Sequence, residues 1–275
     1  RAMTARLDTL RHVTIIGGGF IGLEVAALLL KRDIAVEVLE AADRLMGRVL
    51  SPAMSEAFRV LHEEMGTRLR LNTLAAAIAP RGDGFSVTLS DGDVLETDAV
   101  VVAAGVVPNV ELAAEAGLAV ENGVVVDAHL LTSDPAISAI GDCASHPNPW
   151  GLGMIRLESV QNAVDQGKCV AARLTGDDHV YDSLPWFWSH QGAAKLQIAG
   201  LAMGMDETVM RGDPKSGKFS VFVYRDDRLI AVESVNSPAD HMVARRLLAA
   251  GLSVPKEVAA DPDADLKALI PRAAA

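Results

Sequence analysis

His12 to Glu40 reads HVTIIGGGFIGLEVAALLLKRDIAVEVLE. His12 to Ile16 is a short β-branched run, the composition of a buried parallel strand. Gly17, Gly19 and Gly22 follow at G-x-G-x-x-G spacing. The first glycine permits a sharp turn, the second lets a pyrophosphate approach the backbone, and the third lets the helix pack closely on the sheet. Phe20 to Leu30 are strong helix formers and mostly apolar, so a helix covered by protein is expected there, its N-terminal N–H groups and dipole facing phosphates. Ile34 to Leu39 is the next strand, with Glu40 at its C-terminal end. A lone glycine triad is a weak signal, and a structural glycine turn is the competing reading. Here strand, turn, helix, second strand and terminal acid all occur in order, which is the pattern of a dinucleotide site.

Outward from this unit, 275 residues suffice for about two domains with real cores. Half the residues are hydrophobic and 4% aromatic, as in Ala/Val/Leu-rich α/β proteins. A net charge of −11 argues against nucleic-acid binding through a basic face. Cys143 and Cys169 lie far apart and in no C-x-x-C, which disfavours a redox disulfide or a zinc site and makes a reducing compartment the default. No apolar run approaches the roughly 20 residues that span a bilayer, and the N-terminus does not read as a signal peptide. The expectation is a soluble, cytoplasmic protein, a monomer or weak dimer, with no nucleic-acid or membrane partner.

Arg1 to Arg11 carry alternating charge and read as a lead-in. After Glu40, Ala41 to Arg44 form a loop from which Arg44 could reach a cofactor phosphate or adenine edge, or could simply be solvated. Ser51 to Gly66 has amphipathic helical spacing with Ser51 and Pro52 as cap and first-turn residues. Arg68 to Leu71 and Ala75 to Ile78 are candidate strands. Phe85 to Leu89, the Asp91-Gly92 turn and Val94 to Thr97 make a hairpin. Ala99 to Ala103 is a further strand, ending near Gly105. Then come a short helix from Glu111 to Ala116, a strand at Gly123 to Val126, and Ile137 to Ile140 leading into Gly141-Asp142. An aspartate after a strand and glycine, before a helix, suits a polyhydroxyl chain; an Asp helix cap is the plainer reading. Arg156 to Lys168 opens another helix, Pro185 to Trp188 marks a boundary, and the remainder alternates short strands with a helix from Ala239 to Ala250, an α+β unit.

These blocks together resemble the flavin-dependent ferredoxin reductases that serve aromatic-ring dioxygenases and bacterial P450s. The resemblance is carried by IGGGFIGLEVAA (Ile16 to Ala27), VVPN (Val106 to Asn109), TSDPAISAIGDCA (Thr132 to Ala144), RLESVQNAVDQG (Arg156 to Gly167) and PWFWSHQGAAKLQIAGL (Pro185 to Leu201). It implies an α/β fold: a Rossmann-like NAD-binding domain with a β-meander (1–107), the returning part of a second, FAD-type Rossmann-like domain (108–184), and a C-terminal α+β interface domain (185–275). It also implies the cofactors FAD and NAD and a [2Fe-2S] ferredoxin as electron acceptor.

Carried over residue by residue, Gly17, Gly18, Gly19, Phe20, Ile21 and Gly22 would hold the NADH pyrophosphate, with Gly105 on the same crevice. Glu40 would hold the adenosine ribose, repelling a 2′-phosphate and favouring NADH over NADPH. Glu24, read as lying in the first helical turn, would be the catalytic-site carboxylate beside the nicotinamide; a helix-dipole carboxylate is the plainer reading. Gly141 and Asp142 would bind the ribityl chain. The Glu158-Ser159-Val160 helix start would offer N–H groups to the flavin pyrimidine edge. Trp186 and Trp188 would lie beside the isoalloxazine, or simply pack between domains.

Two departures stand out. His190 occupies the position of an aspartate in the family's W-S-D-Q run. The family also carries a second, N-terminal G-x-G-x-x-G for FAD, whereas this sequence has one such motif, matching the NADH one. The expectation is therefore a C-terminal portion of a reductase with weak or absent FAD binding. The alternatives are a related flavoenzyme with another acceptor, such as rubredoxin, and a non-catalytic NADH-binding module.

Overall fold

The computed structural model describes residues 6–270. Of the N-terminal lead-in, residues 1–5 lie outside the described residues. The chain divides into two compact units. One comprises the residues up to Gly105 together with Ser189–Leu196; the other comprises Val106–Trp188 and the residues from Gln197 on.

The first unit opens with β1 (His12–Ile16), α1 (Phe20–Leu30), β2 (Ala35–Leu39), α2 (Pro52–Glu64) and β3 (Arg68–Arg70). It continues through β4 (Ala75–Arg81), β5 (Gly84–Leu89), β6 (Val94–Thr97) and β7 (Ala99–Val102). A parallel sheet runs in the order β3-β2-β1-β7, and β4-β5-β6 form the expected antiparallel meander. Val13, Ile15, Val36 and Val38 alternate with polar residues yet are fully buried, so the apolar side of the sheet is closed. Leu23, Ala26, Ala27 and Leu29 of α1 are buried as well. The helix is not covered all round as its composition suggested: Ile21 and Leu28, seven residues apart and so on one face, are 64% and 62% exposed. Glu37, buried within β2, is held by Arg70 on the neighbouring strand at 2.5 Å, with His12 3.8 Å away. A buried carboxylate persists because it is paired.

The second unit contains α3 (Glu111–Glu115), β8 (Val124–Val125), β9 (Ala144–Pro147), β10 (Met154–Ile155) and α4 (Val160–Leu174). The chain then forms β11 (Trp186–Gln191) and β12 (Ala194–Gly200), of which Ser189–Leu196 count with the first unit, and continues through β13 (Glu207–Asp213), β14 (Lys218–Arg225), β15 (Arg228–Val235), α5 (Pro238–Ala249) and α6 (Lys256–Ala260). The sheets are β10-β9-β8 and β11-β12-β15-β14-β13. Phe222, Tyr224 and Val232 of the larger sheet pack against Val243, Leu247 and Leu248 of α5. Buried Arg211 ties the C-terminal segment down by donating to the carbonyls of Val258, Asp261, Pro262 and Ala264.

Three expectations change here. Ile137–Ile140 forms no strand, only an isolated bridge between Leu131 and Ser138. Gly141–Cys143 is a 3-10 turn leading into β9, so Asp142 does not precede an α-helix. The helix placed from Arg156 begins at Val160, because Ser159 caps it, and continues to Leu174.

α2 begins as its sequence signal requires: Ser51 Oγ accepts the Met54 N–H at 3.2 Å and Pro52 occupies the first turn. Ser51→Ala is expected to cost about 1 kcal/mol of unfolding free energy. Urea titration checks this, and an unchanged midpoint would contradict the capping role.

Candidate functional site

The C-terminal ends of β1, β2 and β7 converge on the glycine turn. The chain runs outward from β1 through β2 to β3 and returns, by way of the meander, to β7 on the other side of β1; such a switch point is where open parallel sheets bind ligands. Gly17 has φ +110°, and its N–H donates to Leu39 O at 2.7 Å. A Cβ at Gly17 would stand 2.3 Å from Ala103 O, and one at Gly22 would stand 2.1 Å from Gly17 O. Neither position accommodates a side chain. A Cβ at Gly19 meets nothing within 4 Å. Gly19 is also the N-cap of α1 and brings no capping side chain. The start of α1 therefore presents backbone donors and a positive dipole end to open space, a cradle that fits the pyrophosphate of a dinucleotide.

Glu40 closes this cradle. Its Oε2 accepts the Gly18 N–H at 2.7 Å and its Oε1 accepts the Ala42 N–H at 2.8 Å. Each oxygen keeps a lone pair for a ribose hydroxyl. Arg44 is folded onto its own loop, donating to Gly47 O at 2.9 Å with Asp43 3.6 Å away. Gly105, at φ +98°, follows β7 at the same edge of the sheet and is exposed.

Glu24 requires a correction. α1 starts at Phe20, so Glu24 is its fifth residue and lies beyond the first turn, which contains no acid. A dipole role is correspondingly weak, because the effect fades within that turn. Its Oε1 instead accepts the Ser189 hydroxyl at 2.6 Å and the His190 N–H at 3.0 Å. His190 thus serves through its backbone, so this bond does not depend on the side chain that replaces the family's aspartate. Ser189 belongs to the first unit with Glu24. Sequence reasoning missed it: the contact spans 165 residues.

In the second unit, Arg156 draws two expected residues together. Its Nη1 donates to the Asp142 carbonyl at 2.9 Å and pairs with Glu158 Oε1 at 2.7 Å. Ser159 Oγ accepts the Asn162 N–H at 3.1 Å, and Val160 is 64% exposed. Gly141, at φ +76°, donates its N–H to Gln166 Oε1 at 2.6 Å. That leaves Gln166 Nε2 a buried donor with no partner among the described residues, which fits a polar acceptor at this edge. Trp186 and Trp188 stack tilted with centroids 5.4 Å apart, and the Arg245 guanidinium lies 4.4 Å over Trp186. Among the described residues no cluster could hold a metal ion, and both cysteines are free thiols.

Near the end of α2 sits a fully buried histidine, His62, with Gln191 Oε1 2.8 Å from its Nε2. Burial pushes the imidazole pKa below its usual value, partly offset by that bond. The folded pKa therefore lies under the unfolded value of about 6.5. Above that value both states are neutral and the stability is fully present; as pH falls below it, the unfolded chain takes up the proton first and stability declines. Unfolding free energy is expected to fall between pH 7 and pH 5 more steeply in the wild type than in His62→Gln. Equal slopes in urea titrations would contradict this.

The glycines make a second prediction. Gly22→Ala is expected to destabilise by more than about 2 kcal/mol through overpacking against backbone. Gly19→Ala is expected to cost about 1 kcal/mol or less. Similar losses in the two variants would contradict the geometry.

Residues 2–167 match the pyridine nucleotide-disulphide oxidoreductase family, and residues 186–270 match the reductase C-terminal domain. The chain is 52% identical over 272 residues to the rhodocoxin reductase of Rhodococcus erythropolis, covering 98% of this chain and 64% of that one. It is 42% identical over 271 residues to the ferredoxin--NAD(+) reductase component of the anthranilate 1,2-dioxygenase system of Burkholderia cepacia, covering 98% of this chain and 67% of that one. The crystal structure of the ferredoxin reductase for the CYP199A2 system from Rhodopseudomonas palustris superposes with a TM-score of 0.95 at 49% identity, covering 98% of this chain and 67% of that one. The chain therefore spans about two thirds of the length of these relatives. It belongs to the pyridine nucleotide-disulphide oxidoreductase family, and relatives in that family carry the names of ferredoxin reductases of dioxygenase and P450 systems.

Proposed function

We propose that this chain carries the NADH site and the acceptor-facing part of an FAD-dependent NADH:ferredoxin oxidoreductase. The observation that carries the reading is the uncapped start of α1, open at Gly19 and flanked by the Glu40 carboxylate. Residues 1–107 are then the NAD-binding domain, 108–184 the returning part of the FAD-binding domain, and 185–275 the interface domain. The turn Gly17–Gly22 binds the pyrophosphate through backbone donors. Glu40 takes the adenosine ribose and repels a 2′-phosphate, which selects NADH over NADPH. Glu24, fixed by Ser189 and His190, orients the nicotinamide. Ser159, Val160 and the donors of the α4 start, with Asp142 and Gln166, are the residues suited to hold the flavin.

Bound there, a flavin supplies the one chemistry the protein lacks, accepting a hydride and releasing single electrons. The side chains bind, orient and set local charge, and no protein nucleophile or general base is needed. The electron acceptor in this reading is a [2Fe-2S] ferredoxin, met on the side of Trp186 and Trp188. The setting in this reading is the cytoplasm, with which two free thiols agree.

The test is NADH-driven reduction of cytochrome c by the purified protein supplied with FAD, with and without a [2Fe-2S] ferredoxin. Any turnover is expected to require the ferredoxin, and nucleotide binding is expected to prefer NADH over NADPH. Glu40→Gln is expected to narrow that preference by about tenfold, the worth of one charge-assisted bond. Ferredoxin-independent turnover, or equal use of the two nucleotides, would contradict the reading.

A further inference from the structure

We infer that a buried, one-directional chain of hydrogen bonds from Thr67 through His62, Gln191 and Ser189 positions the Glu24 carboxylate. The inference rests on the proposed reading of Glu24 as a residue of the NADH site. Its members come from distant stretches of sequence: His62 lies near the end of α2, Thr67 just before β3, and Ser189 and Gln191 on β11. All belong to the first compact unit. His62, Ser189 and Gln191 are fully buried, and Thr67 is 4% exposed.

The direction of the chain follows from its acidic end. An ionised carboxylate can only accept, so the Ser189 hydroxyl, 2.6 Å from Glu24 Oε1, must donate its single proton there. Ser189 is then left with lone pairs only. Gln191, 3.1 Å away, must turn its amide NH2 toward it, where Nε2 also lies 3.5 Å from Met46 Sδ. That orientation points Gln191 Oε1 at His62 Nε2, 2.8 Å distant, and Nε2 must therefore carry the ring proton. His62 Nδ1 is the remaining acceptor and takes the Thr67 hydroxyl at 3.2 Å. Each link pairs one donor with one acceptor, and turning the Gln191 amide over would set its carbonyl oxygen against the lone pairs of Ser189. Burial favours the neutral imidazole, the form this arrangement uses. In a water-poor interior a reversed link is costly, so the chain selects one rotamer of each member. The His190 N–H, 3.0 Å from the same carboxylate oxygen, adds a second fixed donor.

The chain gives His62, Gln191 and Ser189 a role that packing alone does not. They are positioning residues, and they act on NADH only through Glu24. Ring 15N shifts of His62 provide a readout independent of turnover. The wild type is expected to show the neutral tautomer protonated at Nε2. Glu24→Ala removes the acidic end and opens the opposite polarity. Ser189 can then donate to Gln191 Oε1, the Gln191 amide to His62 Nε2, and His62 Nδ1–H to Thr67. The tautomer is expected to move toward Nδ1–H in that variant; a His62 tautomer unchanged by Glu24→Ala would overturn the proposed direction.

The positioning role is read by calorimetric titration with NADH. Ser189→Ala, a small change that keeps Glu24, is expected to raise the Kd about threefold to tenfold, the worth of one buried hydrogen bond. An unchanged Kd in a variant whose thermal melt matches the wild type overturns the positioning role. A wild-type chain that binds no NADH overturns the functional reading and the positioning role with it. The tautomer measurement needs no NADH and decides the direction of the chain in either case.

Discussion

The site depends on two places where the backbone comes too close to itself for any side chain. At Gly17 the turn presses against the Ala103 carbonyl, and at Gly22 the helix presses against the carbonyl of Gly17. These approaches bring α1 down onto the end of β1, so that its first N–H groups emerge at the C-terminal edge of the parallel sheet. Gly18 can then bond the Glu40 carboxylate from the end of the next strand. Without the close approach the helix start, the acid and the strand ends would not share a crevice. The surface presented at this edge is therefore backbone, held by packing, with the Glu40 carboxylate beside it.

The two long helices at the expected nucleotide positions begin differently, and the difference is chemical. α1 has no capping side chain and open space before it. α4 is capped by Ser159, whose hydroxyl already takes one of its first-turn donors. In the first arrangement no capping side chain competes with a ligand's phosphates for the helix start. The second leaves fewer donors, suited to a local contact at a polar ring edge, with Arg156 fixing the neighbouring Asp142 backbone and the Glu158 side chain. Glu24 fits neither arrangement. It lies past the reach of the dipole, and it is held by side-chain and backbone donors from β11.

Much of the first unit was legible in the sequence because its signals are local. The run from His12 to Glu40 contains its own strand composition, turn glycines and helix formers. The boundaries of β1 and α1 fall where those signals place them, and Ser51-Pro52 marked the start of α2. The second unit was read less well. β8 and β10 are two residues each, and β9 is the polar run Ala-Ser-His-Pro. Such strands exist because partners hold them, and periodicity cannot reveal them. The same limit applied to Asp142, whose 3-10 turn is set by Gly141 bonding to Gln166, 25 residues on. The chain behind Glu24 was invisible for this reason, since its links span up to 165 residues.

The central claim is that NADH lies on the glycine turn with its adenosine ribose at Glu40. The most direct measurement is an amide chemical-shift map of the labelled protein during titration with NADH. The largest perturbations are expected at Gly17 to Gly22 and at Glu40 to Ala42, with Gly18 prominent because its N–H already bonds the acid. Saturable shifts centred elsewhere, with the glycine turn unmoved, would contradict it.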